Sequence, residues 1–191
     1  MRLGIAHHLG WAVAVVAGPD HMVVDRRRIE LVEPGVPVAP IHHEGGAHEL
    51  HRLGDPPDDD ALAELVARVR ASAVRATSAS LDVLPGPIES ISLRAWPDGF
   101  PTDIATLRRA PYESQADSVL YRLVLAEVAA VRSWEVHRYD ARTVEDEAAA
   151  ILGDRAHEVL HGPRSVLGPP WSKDHRTALA AAVVAGQSRS G

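Results

Sequence analysis

Arg2-Leu3-Gly4-Ile5-Ala6-His7-His8-Leu9-Gly10-Trp11-Ala12-Val13-Ala14-Val15-Val16-Ala17 is the stretch that decides the fold. Arg2 to Ala6 reads as a short strand, and Gly10 to Ala17 as a continuous apolar run of strand length. Gly18-Pro19-Asp20-His21 is a turn signal directly after it. Met22 to Val32 alternates more weakly and stops before Glu33-Pro34-Gly35. Three strands joined by connections this short predict an antiparallel meander.

From Glu33 to about Asp59 the chain is rich in Pro, Gly, His and Asp and has no clear periodicity. Loops that long inside compact domains are usually functional or mobile. Asp58-Asp59-Asp60 then supplies N-cap candidates, and Leu62, Leu65, Val66, Val69 and Ala73 repeat at helical spacing until Pro85-Gly86-Pro87. Ile88 to Ala95 is a fourth strand, ended by Pro97. A loop bearing Arg108 and Arg109 leads to Pro111, at the start of a helix reaching about Arg132. Glu135 to Tyr139 is a fifth strand, and Thr143 to Leu152 a helix with Thr143 and Asp146 spaced like a capping box. Val159 to Pro170 reads as irregular, and Ser172 caps a last helix closed by Gly186.

The order βββ-α-β-α-β-α-α, with its late right-handed crossover, predicts an α/β fold. Its mixed five-stranded sheet has three antiparallel strands followed by parallel ones, in spatial order 3-2-1-4-5, flanked by helices. Residues 1–186 are expected to form one domain, with a His/Pro/Gly-rich loop at 33–59 and a disordered tail at 187–191.

The 191 residues contain eleven histidines and no cysteine. Histidine is the commonest transition-metal ligand and changes charge near neutral pH, so its clustering toward one end suggests a site. Without cysteine there is no disulfide, thiolate metal site or thiol nucleophile. A net charge of −6 opposes broad attraction to nucleic acid or an anionic membrane but permits a local basic patch. Lys173 is the sole lysine among twenty basic residues, a bias that a GC-rich genome or a need for phosphate-binding forks would produce. The longest apolar run, Trp11 to Ala17, is far short of the roughly 20 residues that span a bilayer, and no signal-peptide pattern is present. A soluble cytoplasmic protein is the expectation. No Gly-x-Gly-x-x-Gly, Walker loop or Gly-x-Ser-x-Gly elbow occurs, so no nucleotide cofactor is expected.

The element order, with Leu3-Gly4-Ile5 closely followed by Gly10-Trp11-Ala12-Val13, resembles the RNase H-like fold, in particular its Holliday-junction resolvase (RuvC-like) branch. The resemblance implies a site in which acidic residues hold two metal ions that activate water and stabilise the leaving group. Here Ala6 stands where that pattern has the aspartate of the first strand, and Arg94 where it has the glutamate ending the fourth. In the last helix Asp174 matches the first aspartate and Thr177 replaces the second. One acid of four is left, and Mg²⁺ requires hard oxygen ligands. The resemblance therefore implies the fold without the usual nuclease mechanism.

Ligands of open sheets bind beyond the carboxyl ends of parallel strands. His7 and His8, Arg94, Tyr139 and Asp140 end strands at that edge, and Tyr112, Glu113, Asp117, Asp174 and His175 begin helices there. Adjacent strand residues point to opposite faces, so at most one of His7 and His8 faces the site. At 100° per residue Glu113 and Asp117 share an arc with Leu120, Val124, Val128 and Val131. Buried carboxylates need a cation, a metal or hydrogen-bond donors. Arg94, Arg108 and Arg109 are nearest in sequence, and the result is either a structural network or a functional site.

The candidate catalytic groups are thus His8, Asp117, Asp140, Asp174 and His175. The candidate ligand-binding groups are Arg94, Arg108, Tyr112, Glu113 and Tyr139. His42-His43-Glu44, with His48 and His51, offers nitrogen and oxygen donors for Zn²⁺ or Mn²⁺, although Gly45-Gly46 argues against a helix there; solvated loop histidines are the alternative. Three functions follow. One is an RNase H-like domain that binds nucleic acid or a phosphate-bearing ligand without two-metal cleavage. Another is a metal-dependent phosphoesterase or nuclease with a rearranged His/Asp/Glu site. The third is a protein-interaction domain using the histidine-rich loop.

Overall fold

The computed structural model describes residues 1–46 and 55–187. Strands β1 (Arg2–His7), β2 (Trp11–Ala17), β3 (Val23–Glu30), β4 (Ser90–Arg94) and β5 (Glu135–Tyr139) form one sheet in the order β3-β2-β1-β4-β5. β1, β2 and β3 pair antiparallel, while β1–β4 and β4–β5 pair parallel. This is the mixed sheet and spatial order expected from sequence. Helices α1 (Asp59–Asp82), α2 (Ile104–Leu107), α3 (Glu113–Val131), α4 (Val144–Leu152), α5 (Ala156–His161), α6 (Pro163–Leu167) and α7 (Lys173–Ala185) complete it. Among the described residues no helix is long and apolar enough to cross a membrane.

Strand alternation divides the core in two. Leu3, Ile5, Ile91 and Leu93 pack with Tyr121, Leu125 and Val128 of α3 and with Ala73 and Leu81 of α1. On the other face Ala6, Val13 and Val15 pack with the alanine-rich α7 and with Val144 and Ala148 of α4. Small residues let α7 lie directly on the sheet centre. A Cβ on Gly4 would overlap the Ala178 carbonyl, and the Ser92 hydroxyl donates to the Ala181 carbonyl at 3.0 Å. The β1–β2 connection is the two-residue turn Leu9-Gly10, closed by His8 N–H donating to the Trp11 carbonyl at 2.8 Å. Gly10 takes φ +78°, where a side chain would be strained and would meet Val38.

The structure departs from the sequence reading in five places. Pro40–Gly45 forms a π-helical turn carrying His42, His43 and Glu44, with Gly46 as its C-cap. The glycine pair therefore ends a helical turn inside the expected 33–59 loop rather than preventing one. α2 occupies the arginine-bearing loop, capped by Asp103, and α5 and α6 occupy most of the segment read as irregular. Thr143 donates to Glu147 Oε1 at 2.6 Å and forms no capping box with Asp146. Val131 is exposed because α3 ends there. His48, His51 and residues 188–191 of the expected tail lie outside the described residues.

Candidate functional site

β1, β4 and β5 run parallel, so their carboxyl ends share one edge, and α3 and α7 begin beside it. Ser92 faces α7, so Arg94, two residues on, projects from that same face, as do Ala6 and Tyr139. His7 projects from the opposite face, toward α3.

On the α3 side, His7 Nε2 lies 3.1 Å from Ser118 Oγ. Arg122, one turn further along α3, donates through Nη2 to the same Oγ and through Nε to the Ser118 carbonyl, both at 3.1 Å, and through Nη1 to the Ala95 carbonyl. Burial, with Arg122, Arg94 and His8 adding to it, pushes the His7 imidazole down to about 3, so it is neutral at pH 7. Arg122 is 6% exposed; burial and the field of Arg94 lower it to about 10, which leaves it charged. Among the described residues no carboxylate bonds Arg122, and exposed Arg94 makes no hydrogen bond or ion pair.

On the α7 side, His8 Nε2 meets Asp174 Oδ2 at 3.1 Å, and its ring lies on Trp11. Thr177 donates to Glu145 Oε1 of α4 at 3.0 Å, while Arg176 Nε reaches Oε2 of the same carboxylate at 3.3 Å. The last described β1–β4 pair is Gly4–Ser92. Just beyond it the Tyr139 hydroxyl crosses to donate to the Ile5 carbonyl at 2.7 Å, and burial raises its pKa. Tyr139 is thus a structural plug at the edge.

Several sequence candidates lie elsewhere or are otherwise engaged. Glu113 and Asp117 are buried as the helical arc predicted, but neither pairs with Arg94 or Arg108. Asp117 accepts the Ile41 and His42 backbone N–H groups at 3.0 and 2.8 Å, and Glu113 Oε1 meets His42 Nδ1 at 3.0 Å. Burial raises Asp117 to about 6, against those donors. Arg108 instead holds the loop, donating to the Gly45 carbonyl at 3.0 Å, the Pro57 carbonyl at 2.9 Å and Asp59 Oδ1 at 2.6 Å. This group is a latch that fastens the π-helical turn to α3. Tyr112 packs edge-on against Phe100, 5.6 Å between centroids, in a separate small cluster.

Asp140 is exposed and bonded to Arg142, whose side chain holds it below the usual carboxylate range. His175 is a capping residue: its Nδ1 accepts the Ser172 N–H at 3.2 Å and lies 2.8 Å from Ser172 Oγ, and burial lowers its pKa. Of His8, Asp117, Asp140 and Asp174, only His8 and Asp174 meet. His43 rests against His42 and Glu44 is exposed. Among the described residues no group of three or more His, Asp or Glu side chains is arranged to hold a metal ion. Sequence reasoning missed Ser118, Arg122, Glu145 and the role of Trp11. The i, i+4 spacing of Ser118 and Arg122 beside the apolar stripe was the available signal.

Sheet order, crossover and helix placement define an RNase H-like α/β fold of the RuvC-like type. The chain is similar to Thermus thermophilus RuvC solved in complex with a Holliday junction substrate, with 16% identity and a TM-score of 0.52 over 100% of this chain and 95% of that one. Thermus thermophilus RuvC in a second structure aligns with 15% identity and a TM-score of 0.48, over 100% and 96% of the two chains. No family profile and no curated protein matches the chain.

The donors at this edge do not fit a two-metal centre. Ala6 offers a methyl group, Arg94 a positive charge and Thr177 a hydroxyl already bonded to Glu145, while Asp174 is engaged by His8. Arg94 and Arg122 bring positive charge instead, which suits an anion.

Proposed function

We propose that this chain is an RNase H-like domain that binds the phosphate groups of nucleic acid at the carboxyl edge of its parallel strands and does not cleave them by two-metal chemistry. Residues 1–186 act as one domain in this reading. The observation that carries it is the Arg94–Arg122 pair: one guanidinium exposed and unpaired, the other nearly buried and without a carboxylate. An uncompensated buried cation is costly, and a bound phosphate would offset that cost through charge-assisted hydrogen bonds. The structure of similar fold solved in complex with a Holliday junction substrate supports nucleic acid as the source of that phosphate.

The test is binding of labelled branched and single-stranded DNA, followed by fluorescence anisotropy over a salt series. Affinity should fall with salt and drop on Arg94→Ala. Binding that is unchanged by Arg94→Ala, or absent at low salt, refutes the reading.

A further inference from the structure

Three flat side chains, from β2, β3 and the end of β1, form a stack on the sheet face from which Arg94 projects. The His8 ring lies on the Trp11 indole with centroids 4.1 Å apart and planes 8° from parallel, and the Arg28 guanidinium carbon sits 4.2 Å from the indole centre. β2 lies between β1 and β3, so His8, just past the end of β1, and Arg28, on β3, take opposite sides of Trp11. Each outer member is oriented by a carboxylate: Asp174 bonds His8 Nε2, and Glu30 accepts from Arg28 Nε at 2.9 Å. The outer members remain open to solvent, with side chains 42% exposed at His8 and 58% at Arg28.

We propose that this stack is a nucleobase platform, and that the ligand of the edge is a single-stranded nucleic acid whose base lies on His8 while its phosphate meets Arg94. The proposal rests on the phosphate-binding reading above and adds the strand state of the ligand. His8 and Arg94 are one strand apart and about two residues apart along the sheet, on the order of 5 Å by 7 Å on regular geometry. Ala6, on the same face of β1 beside Arg94, contributes only a buried methyl group, so no long side chain rises there. Bases inside a duplex already stack on one another, whereas a single strand has free π-faces for an aromatic ring and phosphates for a guanidinium.

The experiment measures anisotropy of labelled oligothymidine, oligouridine, an abasic strand of the same length and charge, and a duplex. The full chain is used as wild type, His8→Ala, His8→Phe and Arg94→Ala. Oligothymidine or oligouridine should bind about tenfold more tightly than the abasic strand, and the tighter of the two identifies DNA or RNA. His8→Ala should reduce that strand to abasic affinity with the melting temperature kept, and His8→Phe should restore the difference. Equal binding of base-bearing and abasic strands, or a duplex bound as tightly as the single strand, overturns the platform. If Arg94→Ala still weakens binding in that case, the phosphate reading survives. No salt-sensitive binding of any probe overturns both.

Discussion

Between about pH 4 and 6 two buried groups should give the fold opposite pH dependences that cancel, and removing either should tilt the profile in a defined direction. Burial raises Asp117 from 3.8 to about 6, so across this window the folded protein holds a proton that the unfolded chain has released. That contribution to stability is fully present below 3.8 and is lost as pH rises through about 6. His7 behaves in the opposite sense. Its pKa falls from 6.5 to about 3 on folding, so its contribution is present above 6.5 and is lost as pH falls toward 3.

Each group tilts the stability curve by up to about 1.4 kcal/mol per pH unit with opposite sign, which integrates to about 2 kcal/mol over the window for Asp117 and about 2.5 for His7. Asp117→Asn leaves the His7 slope, so the variant should be about 2 kcal/mol less stable at pH 4 than at pH 6, relative to wild type. A constant offset of about 1–3 kcal/mol accompanies it, because the amide oxygen replaces only one of two acceptors for the Ile41 and His42 N–H groups. His7→Gln should do the reverse, gaining about 2.5 kcal/mol at pH 4 over pH 6 relative to wild type. Urea unfolding across the window reads both, and the comparison with wild type removes the background of other carboxylates. Differences from wild type that do not change with pH would refute the burial argument for both groups.

Gly4→Ala should lower stability by about 3 kcal/mol, read in a thermal melt, because the new methyl overlaps the Ala178 carbonyl and forces α7 off the sheet; an unchanged melting temperature would contradict that packing. Arg122→Met should change stability by no more than about 1 kcal/mol, since it removes a buried charge that no carboxylate neutralises, while nucleic-acid binding is lost. Neither branched DNA nor an RNA–DNA hybrid should be cut in Mg²⁺ or Mn²⁺. Cleavage by wild type that disappears in Asp174→Ala would reveal a working metal site at this edge.

The sheet was legible because its signals are local and repeated. The apolar run after Gly10, the turn signal that follows it and the capped helix from Asp58 each declare themselves within one element. α5 and α6 were not legible, since five or six residues hold too few helical turns for a period to emerge. Burial of Glu113 and Asp117 could be read from their shared arc, but their partners could not. Asp117 is satisfied by backbone N–H groups of the π-helical turn, and every non-proline residue carries such a donor, so sequence marks none of them. Arg108 looked like a partner because it is close in sequence. Its guanidinium goes instead to loop carbonyls, which only the folded chain brings within reach.

The same electrostatics restrict how the edge can bind a polyanion. Around Tyr139 and Asp140 at this edge, Arg94, Arg122 and Arg142 outnumber Asp140 and Asp174 by one charge, in a chain whose net charge is −6. At physiological ionic strength that excess is felt only within a Debye length of about 8 Å, while the rest of the surface repels a phosphate backbone. Steering from a distance therefore contributes little, and affinity has to come from groups in contact. Two arginines neutralising two phosphates of a single strand would give a logarithmic salt slope of only about −1.4, with Arg94→Ala removing about half of it. A broad basic surface would give a much steeper slope. So shallow a dependence, combined with a preference for strands that carry bases, is what a small guanidinium pair beside an aromatic stack should produce.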